Sequence, residues 1–130
     1  MSISFEISAI VSGSPEKIYN AWLDSAQHSA MTGGVAEVSN MVGESFTAWD
    51  GYISGKNIEL VPGKRIVQAW RTVEFSDDEP DSRLEINFEA HAEGTLVTIR
   101  HNNLPSHGMQ YEQGWIDNYF EPMTSFFTEE

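Results

Sequence analysis

The chain has 130 residues, the length of one domain that can bury a core with some room inside. Hydrophobic residues make up 40% of it, including four Trp, seven Phe and four Tyr, an apolar bulk that disordered chains lack. Twenty acidic residues against seven basic ones give a net charge of −13; such a field repels phosphate backbones and anionic headgroups, so neither nucleic acid nor membrane insertion is expected.

Ser2 to Val11 alternates around Ile3, Phe5, Ile7, Ala9 and Val11, the period of a half-buried strand. This opening has no basic region or long apolar stretch, so no secretory leader is expected and a cytoplasmic location is the default. In SGSPEKIYNAWLD, Ser14 fits a helix N-cap, Pro15 the first helical position, and Glu16 the positive first turn. Ile18, Ala21 and Trp22 make the apolar stripe, with Tyr19 and Leu23 beside it. A second short helix over Ala26 to Met31 is expected to end at Gly33-Gly34.

From Val35 to Asn102 the pattern is that of strands. Asp50-Gly51 is a preferred two-residue hairpin turn, which would pair Trp49 with Tyr52 and Ala48 with Ile53. Pro62-Gly63 marks the next reversal, either tight or extended by Lys64 and Arg65. Three antiparallel strands result, at roughly 44–49, 52–61 and 65–73. In the last of them Ile66 and Trp70 point to one face, Val67 and Ala69 to the other. The acidic stretch at 76–81 reads as a solvated loop. A final hairpin runs from Arg83 to Asn102 about Glu93-Gly94, which would set Phe88 against Ile99, Ala90 against Val97 and Ile86 against His101. One face of it is apolar and the other charged.

A terminal helix over about 107–128 carries Trp115, Ile116, Tyr119, Phe120, Met123, Phe126 and Phe127 at three- and four-residue steps. Gly114 is expected to permit close approach to the sheet. Pro122 removes the bond to the Asn118 carbonyl and is expected to kink or interrupt the helix. The whole reads as a single α+β domain over 1–130, an antiparallel sheet wrapped on the last helix.

Four segments together carry a family resemblance: SPEKIYNAWLD at 14–24, DGYISGKNIELVPGKRIVQAWR at 50–71, LVTIRHNNLP at 96–105 and GWIDNYFEPM at 114–123. The chain resembles the helix-grip fold of the START/Bet v 1-like (SRPBCC) superfamily. Within it, the chain resembles the stand-alone relatives of the C-terminal domain of the activator of heat-shock protein 90 ATPase. The resemblance implies a seven-stranded sheet curled around the last helix, with an internal cavity that many relatives use for lipids, hormones or polyketides. It also implies, less directly, a chaperone partner, because in the eukaryotic activator a separate N-terminal domain supplies much of that contact.

His101 is the most interesting polar residue, since the hairpin count turns it toward the terminal helix. It would either orient a ligand or move a proton, or be a buried histidine satisfied by a carbonyl or a water. His28, His91, His101 and His107 are scattered, and His91 and His101 fall on opposite faces, so no metal site is expected. With no cysteine, no GxSxG elbow and no glycine-rich phosphate loop, no catalytic residue and no cofactor is assigned. Trp49, Tyr52, Trp70, Phe88, His101, Trp115, Tyr119, Phe120 and Met123 are the expected cavity-lining set, with Met31 and Met109 as adaptable wall material. Lys56, Lys64, Arg65 and Arg71 are either a solvated face or a docking patch for an acidic partner. Three functional readings follow. The first is a domain binding an apolar or amphipathic, lipid-like molecule between sheet and helix. The second is a co-chaperone-like interaction module. The third is a cyclase- or dehydratase-like enzyme with His101 as acid or base.

Overall fold

The computed structural model describes residues 3–128. The period-two opening folds as strand β1 (Ile3–Val11), with its odd positions turned inward; Ser2, the expected first residue of that strand, lies outside the described residues. The Ser14 hydroxyl accepts the Lys17 N–H at 3.2 Å and so caps helix α1 (Pro15–Trp22), which buries Ile18, Tyr19, Ala21 and Trp22. Helix α2 (Ser25–Thr32) is one residue longer at each end than expected. The Asp24 carboxylate caps it by accepting the Gln27 N–H at 2.9 Å, and Gly33 closes it in the left-handed conformation.

The remaining strands are β2 (Ser45–Ala48), β3 (Ile53–Val61), β4 (Arg65–Thr72), β5 (Ser82–His91) and β6 (Gly94–Leu104). With β1 they form one antiparallel sheet in the order β1-β6-β5-β4-β3-β2. The sheet therefore has six strands among the described residues, where the resemblance implies seven. Between α2 and β2 the strand pairing among the described residues is the isolated bridge of Glu37 with Thr47. It then folds back on β3, where the buried Asn57 amide donates to the carbonyls of Ser39 at 2.8 Å and Met41 at 3.1 Å. Gln68 completes that polar knot by donating to Asn57 Oδ1 at 2.9 Å.

Two hairpins depart from the turn-dipeptide reading. Ala48 does pair with Ile53, but Trp49 and Tyr52 do not extend the ladder. Trp49, Asp50 and Gly51 all adopt positive φ (54°, 59° and 91°), which lengthens the turn to the four residues 49–52. In the β5–β6 hairpin, His91 pairs with Gly94, so the turn is Ala92-Glu93 and the register moves by two residues. Phe88 faces Val97, Ala90 faces Thr95, Ile86 faces Ile99, and Leu84 faces His101. A shift of two leaves every side chain on its expected face, so His101 still points inward. The three residues Pro62, Gly63 and Lys64 link β3 to β4, with the Lys64 N–H on the Val61 carbonyl at 2.9 Å.

The terminal helix starts at Gln110 rather than 107. It comprises α3 (Gln110–Trp115), a π-helical turn (Ile116–Phe120) and α4 (Glu121–Thr128). Pro122 has no N–H to give the Asn118 carbonyl, and the π turn lies immediately before it. There the Glu121 N–H reaches the Ile116 carbonyl, five residues back. The helix widens instead of breaking. On the opposite, outer face of the sheet, Glu85 is ringed by Arg83 at 3.0 Å, Arg100 at 3.4 Å and Arg65 at 3.9 Å.

Gly55 is required by close packing inside the sheet. A Cβ built there falls 1.8 Å from the Ala69 carbonyl oxygen and 2.8 Å from the Phe46 ring. Gly55→Ala is expected to destabilise the fold by about 3 kcal/mol through overpacking, read as a lower midpoint in chemical denaturation.

Candidate functional site

The inner face of the sheet offers Ile66, Gln68, Trp70 and Thr72 of β4, with Ile53 of β3 across from Thr72. The terminal helix lays Tyr111, Trp115 and Tyr119 over them, all buried. A hydrogen-bond relay fastens the two layers. Trp115 Nε1 donates to His101 Nδ1 at 3.0 Å, so the neutral imidazole carries its proton on Nε2. That Nε2 lies 2.8 Å from Ser82 Oγ, which in turn donates to the Trp70 carbonyl at 2.7 Å. His101 is wholly buried, with the Trp70 ring against it at 4.5 Å. Burial pushes its pKa down to about 3. Each of its ring nitrogens has a partner within the protein, and the imidazole acts as a structural pin between helix and sheet.

A second pin holds the π turn to α2. His28 Nδ1 donates to the Trp22 carbonyl at 2.8 Å, leaving Nε2 to accept the Tyr119 hydroxyl at 3.0 Å. Desolvation lowers the His28 pKa and raises that of Tyr119, so both groups are neutral near pH 7.

Beside these pins lies a cavity of about 330 Å³, partly open to solvent. Five of the expected residues line it: Trp49, Tyr52, Trp70, Trp115 and Tyr119. Ile53, Tyr111, Gly114 and Asn118 complete the wall. Phe88, His101, Phe120 and Met123 do not line it; they are buried in the core, where Phe88 packs edge-on against Tyr19 at 5.8 Å. Met31 is also buried in the core, whereas Met109 is exposed. Tyr111, Gly114, Trp115 and Asn118 follow steps of three, one and three, a helical stripe that could have revealed the missing wall. Gly114 does not serve close approach: a Cβ there would meet only the Asn118 amide, at 3.9 Å. Its missing side chain leaves space at the cavity.

One end of the cavity is polar. The Tyr52 hydroxyl donates to the Glu74 carboxylate, whose other oxygen accepts the Gln110 amide at 3.3 Å. Tyr111 and Thr72 share a hydroxyl–hydroxyl bond of 2.7 Å. Burial, and for Tyr52 the Glu74 carboxylate as well, raises the pKa of both phenols, so they stay protonated. Trp49 enters the wall from the turn of three positive-φ residues. Gly34 makes room for it, since a Cβ there would fall 2.6 Å from its ring. The Trp49 indole N–H lies toward the Tyr119 hydroxyl but makes no hydrogen bond. An aromatic residue in left-handed backbone carries strain; the Val35 N–H on the Asp50 carboxylate (3.2 Å) and the Asp50 N–H on the Val35 carbonyl (2.9 Å) hold the turn there.

The expected basic face is divided. Arg71 is bound to Asp81 at 2.9 Å and to the Ser76 and Glu79 carbonyls, and it lies over the Phe75 ring. Lys56, Lys64 and Arg65 are exposed. Among the described residues, no three His, Asp or Glu side chains converge as a metal site would require, and no helix is long and apolar enough to cross a membrane.

An antiparallel sheet covered by a long C-terminal helix, with two short helices after its first strand, is the helix-grip architecture. The chain belongs to the family described as activator of Hsp90 ATPase homolog 1-like protein, whose sequence model matches residues 12–127. A curated relative, the activator of 90 kDa heat shock protein ATPase homolog of Dictyostelium discoideum, is 28% identical over 117 residues. That match takes in 88% of this chain but 30% of the relative, so the chain spans less than a third of that protein's length. The crystal structure of an HSP90 activator from Plasmodium falciparum superposes with a TM-score of 0.82 at 26% identity, over 92% of this chain and 91% of that one. The solution structure of the Aha1 dimer from Colwellia psychrerythraea has the same fold, with a TM-score of 0.76 at 17% identity over 97% and 96% of the two chains.

The depressed His101 pKa has a consequence for stability. Above pH 6.5 the imidazole is neutral in both states. Between 6.5 and about 3 the unfolded chain takes up a proton that the folded chain refuses, so stability falls as pH falls. The slope from this group is about 1.4 kcal/mol per pH unit. Denaturation of His101→Asn over that range is expected to show a shallower pH slope than the parent protein. In the parent, the His101 imidazole proton resonances should stay constant until the pH nears about 3.

Proposed function

We propose that the domain binds a compact apolar or amphipathic small molecule in the cavity between sheet and terminal helix. The observation that carries this reading is the cavity itself. Its volume, about 330 Å³, falls at the small end of ligand pockets, its wall is mainly aromatic, and two of its hydroxyls, those of Tyr52 and Tyr111, are fixed by Glu74 and Thr72. Affinity would come from burying ligand surface, at about 25 cal/mol per Å² before ordering costs. The Tyr52 and Tyr111 hydroxyls at the Glu74 end would orient the polar part of the guest. The size favours a ring-sized molecule over a long acyl chain.

Gly114 supplies a direct test. Gly114→Leu places a side chain in the open space at the wall and replaces a poor helix former with a good one, a gain of up to about 1 kcal/mol. The variant is expected to be at least as stable as the parent. Native mass spectrometry after gentle desalting should retain a co-purified small molecule on the parent and not on the variant. A parent that repeatedly emerges empty, and that binds no small aromatic probe, would rule the reading out.

Family membership favours a second reading, a co-chaperone-like module that docks on heat-shock protein 90 through the exposed Lys56, Lys64 and Arg65. A pull-down with that chaperone from the same organism is expected to weaken several-fold in the double variant Lys64→Glu/Arg65→Glu. Unchanged capture would exclude this face.

A further inference from the structure

We propose that the cavity prefers a cationic guest, an alkylated or quaternary ammonium group, over a neutral molecule of the same shape. The inference rests on reading the cavity as a small-molecule site and deepens it by naming the chemistry of the guest. The wall is a nearly continuous belt of aromatic rings. Trp49 meets Tyr119 at 6.4 Å, Tyr119 meets Trp115 at 4.8 Å, Trp115 meets Trp70 at 5.7 Å, and Trp70 meets Tyr111 at 5.0 Å. Successive ring planes turn by 79°, 47°, 41° and 79°, so neighbouring rings of the wall stand steeply to one another and are not stacked flat. Rings disposed around one space attract a cation through their quadrupoles, most strongly when the site excludes water.

The charge distribution points the same way. No Lys or Arg lines the cavity, and beyond Arg100 the chain contains neither, so the charged residues of the terminal helix over 110–128 are all acidic, Glu112, Asp117 and Glu121, though none of the three is in the wall itself. The polar end is set by the Glu74 carboxylate, held by Tyr52 and Gln110. Asp50 stands in the turn that delivers Trp49. Three of the four arginines gather around Glu85 on the outer face of the sheet, and the fourth is held by Asp81. The sheet thus separates the three arginines around Glu85 from the cavity, while Arg71, over the Phe75 ring that packs on Trp70 and Tyr111, has its charge met by Asp81; the −13 net charge favours cations over anions near the domain. An anionic guest would meet aromatic rings and no Lys or Arg in the wall, with the Glu74 carboxylate bonded to the Tyr52 hydroxyl.

Three of the four tryptophans line the cavity, so indole fluorescence reports its occupancy. The test titrates the full chain with benzyltrimethylammonium and, in parallel, with its uncharged carbon isostere neopentylbenzene. The cation is expected to bind at least about tenfold more tightly. That advantage should shrink in high salt and in Glu74→Gln, and both probes should lose binding in Gly114→Leu. Equal or tighter binding of the neutral isostere overturns the cation preference and leaves the small-molecule reading standing. Binding of neither probe overturns both. Quenching by the cation that survives in Gly114→Leu comes from elsewhere on the surface and also overturns the proposal.

Discussion

The structure depends on one relay of hydrogen bonds, from the Trp115 indole through His101 and Ser82 to the Trp70 carbonyl. Each such bond contributes only about 1 kcal/mol net. The larger effect is what happens if the helix seats wrongly, because every member is buried and an unmet buried donor or acceptor costs about 1–3 kcal/mol. Apolar contact alone would tolerate sliding of the helix along the sheet. The relay does not, since it has one donor direction at each atom. Trp70 and Trp115, whose polar atoms end the relay, are also two rings of the cavity wall, so the bonds that seat the helix also set the spacing of that wall.

Around this seat the molecule divides its chemistry between two faces. The inner face spends its polar groups on fixed pairs: His28 with Tyr119, Thr72 with Tyr111, Asn57 with Gln68. The outer face carries an exposed ion-pair network around Glu85, whose pKa is held down first by the Asn87 amide and then by the neighbouring arginines. Surface pairs of this kind contribute little stability. Their arrangement matters more for where the positive charge of a strongly acidic protein resides.

Much of this was legible from residue patterns, and the failures have identifiable causes. The alternation in β1, the Ser14 cap and the apolar stripe of the terminal helix each rest on a local rule that tertiary contacts did not override. The β5–β6 register did not, because Glu93-Gly94 and Ala92-Glu93 are both admissible turns and only pairing along the whole hairpin selects one. The error was harmless to the faces since it was even. Asp50-Gly51, taken as a two-residue turn, carries the strand through Trp49; aromatic residues seldom occupy left-handed backbone, and nothing local signals that Trp49 does so here. Strand alternation turns His101 inward, as in the structure, yet its partners come from Ser82 and Trp115, nineteen and fourteen positions away, which no spacing rule connects. Gly114 inverts a common pattern: a missing side chain beside a sheet suggests contact, whereas here it leaves a space.

The π turn has a further consequence. A helix advances about 100° per residue, and the extra residue accommodated at Ile116–Phe120 resets the phase of everything after it. Upstream of the insertion, Tyr111 and Trp115 face the sheet; downstream, Met123 and Phe127 are buried again. Deleting one residue within the turn would restore ordinary α-helical pitch, yet rotate those two side chains roughly a quarter-turn out of the core. Length in this segment is therefore under tighter constraint than composition, and sequence drift here should proceed by exchange of side chains far more readily than by loss of a residue.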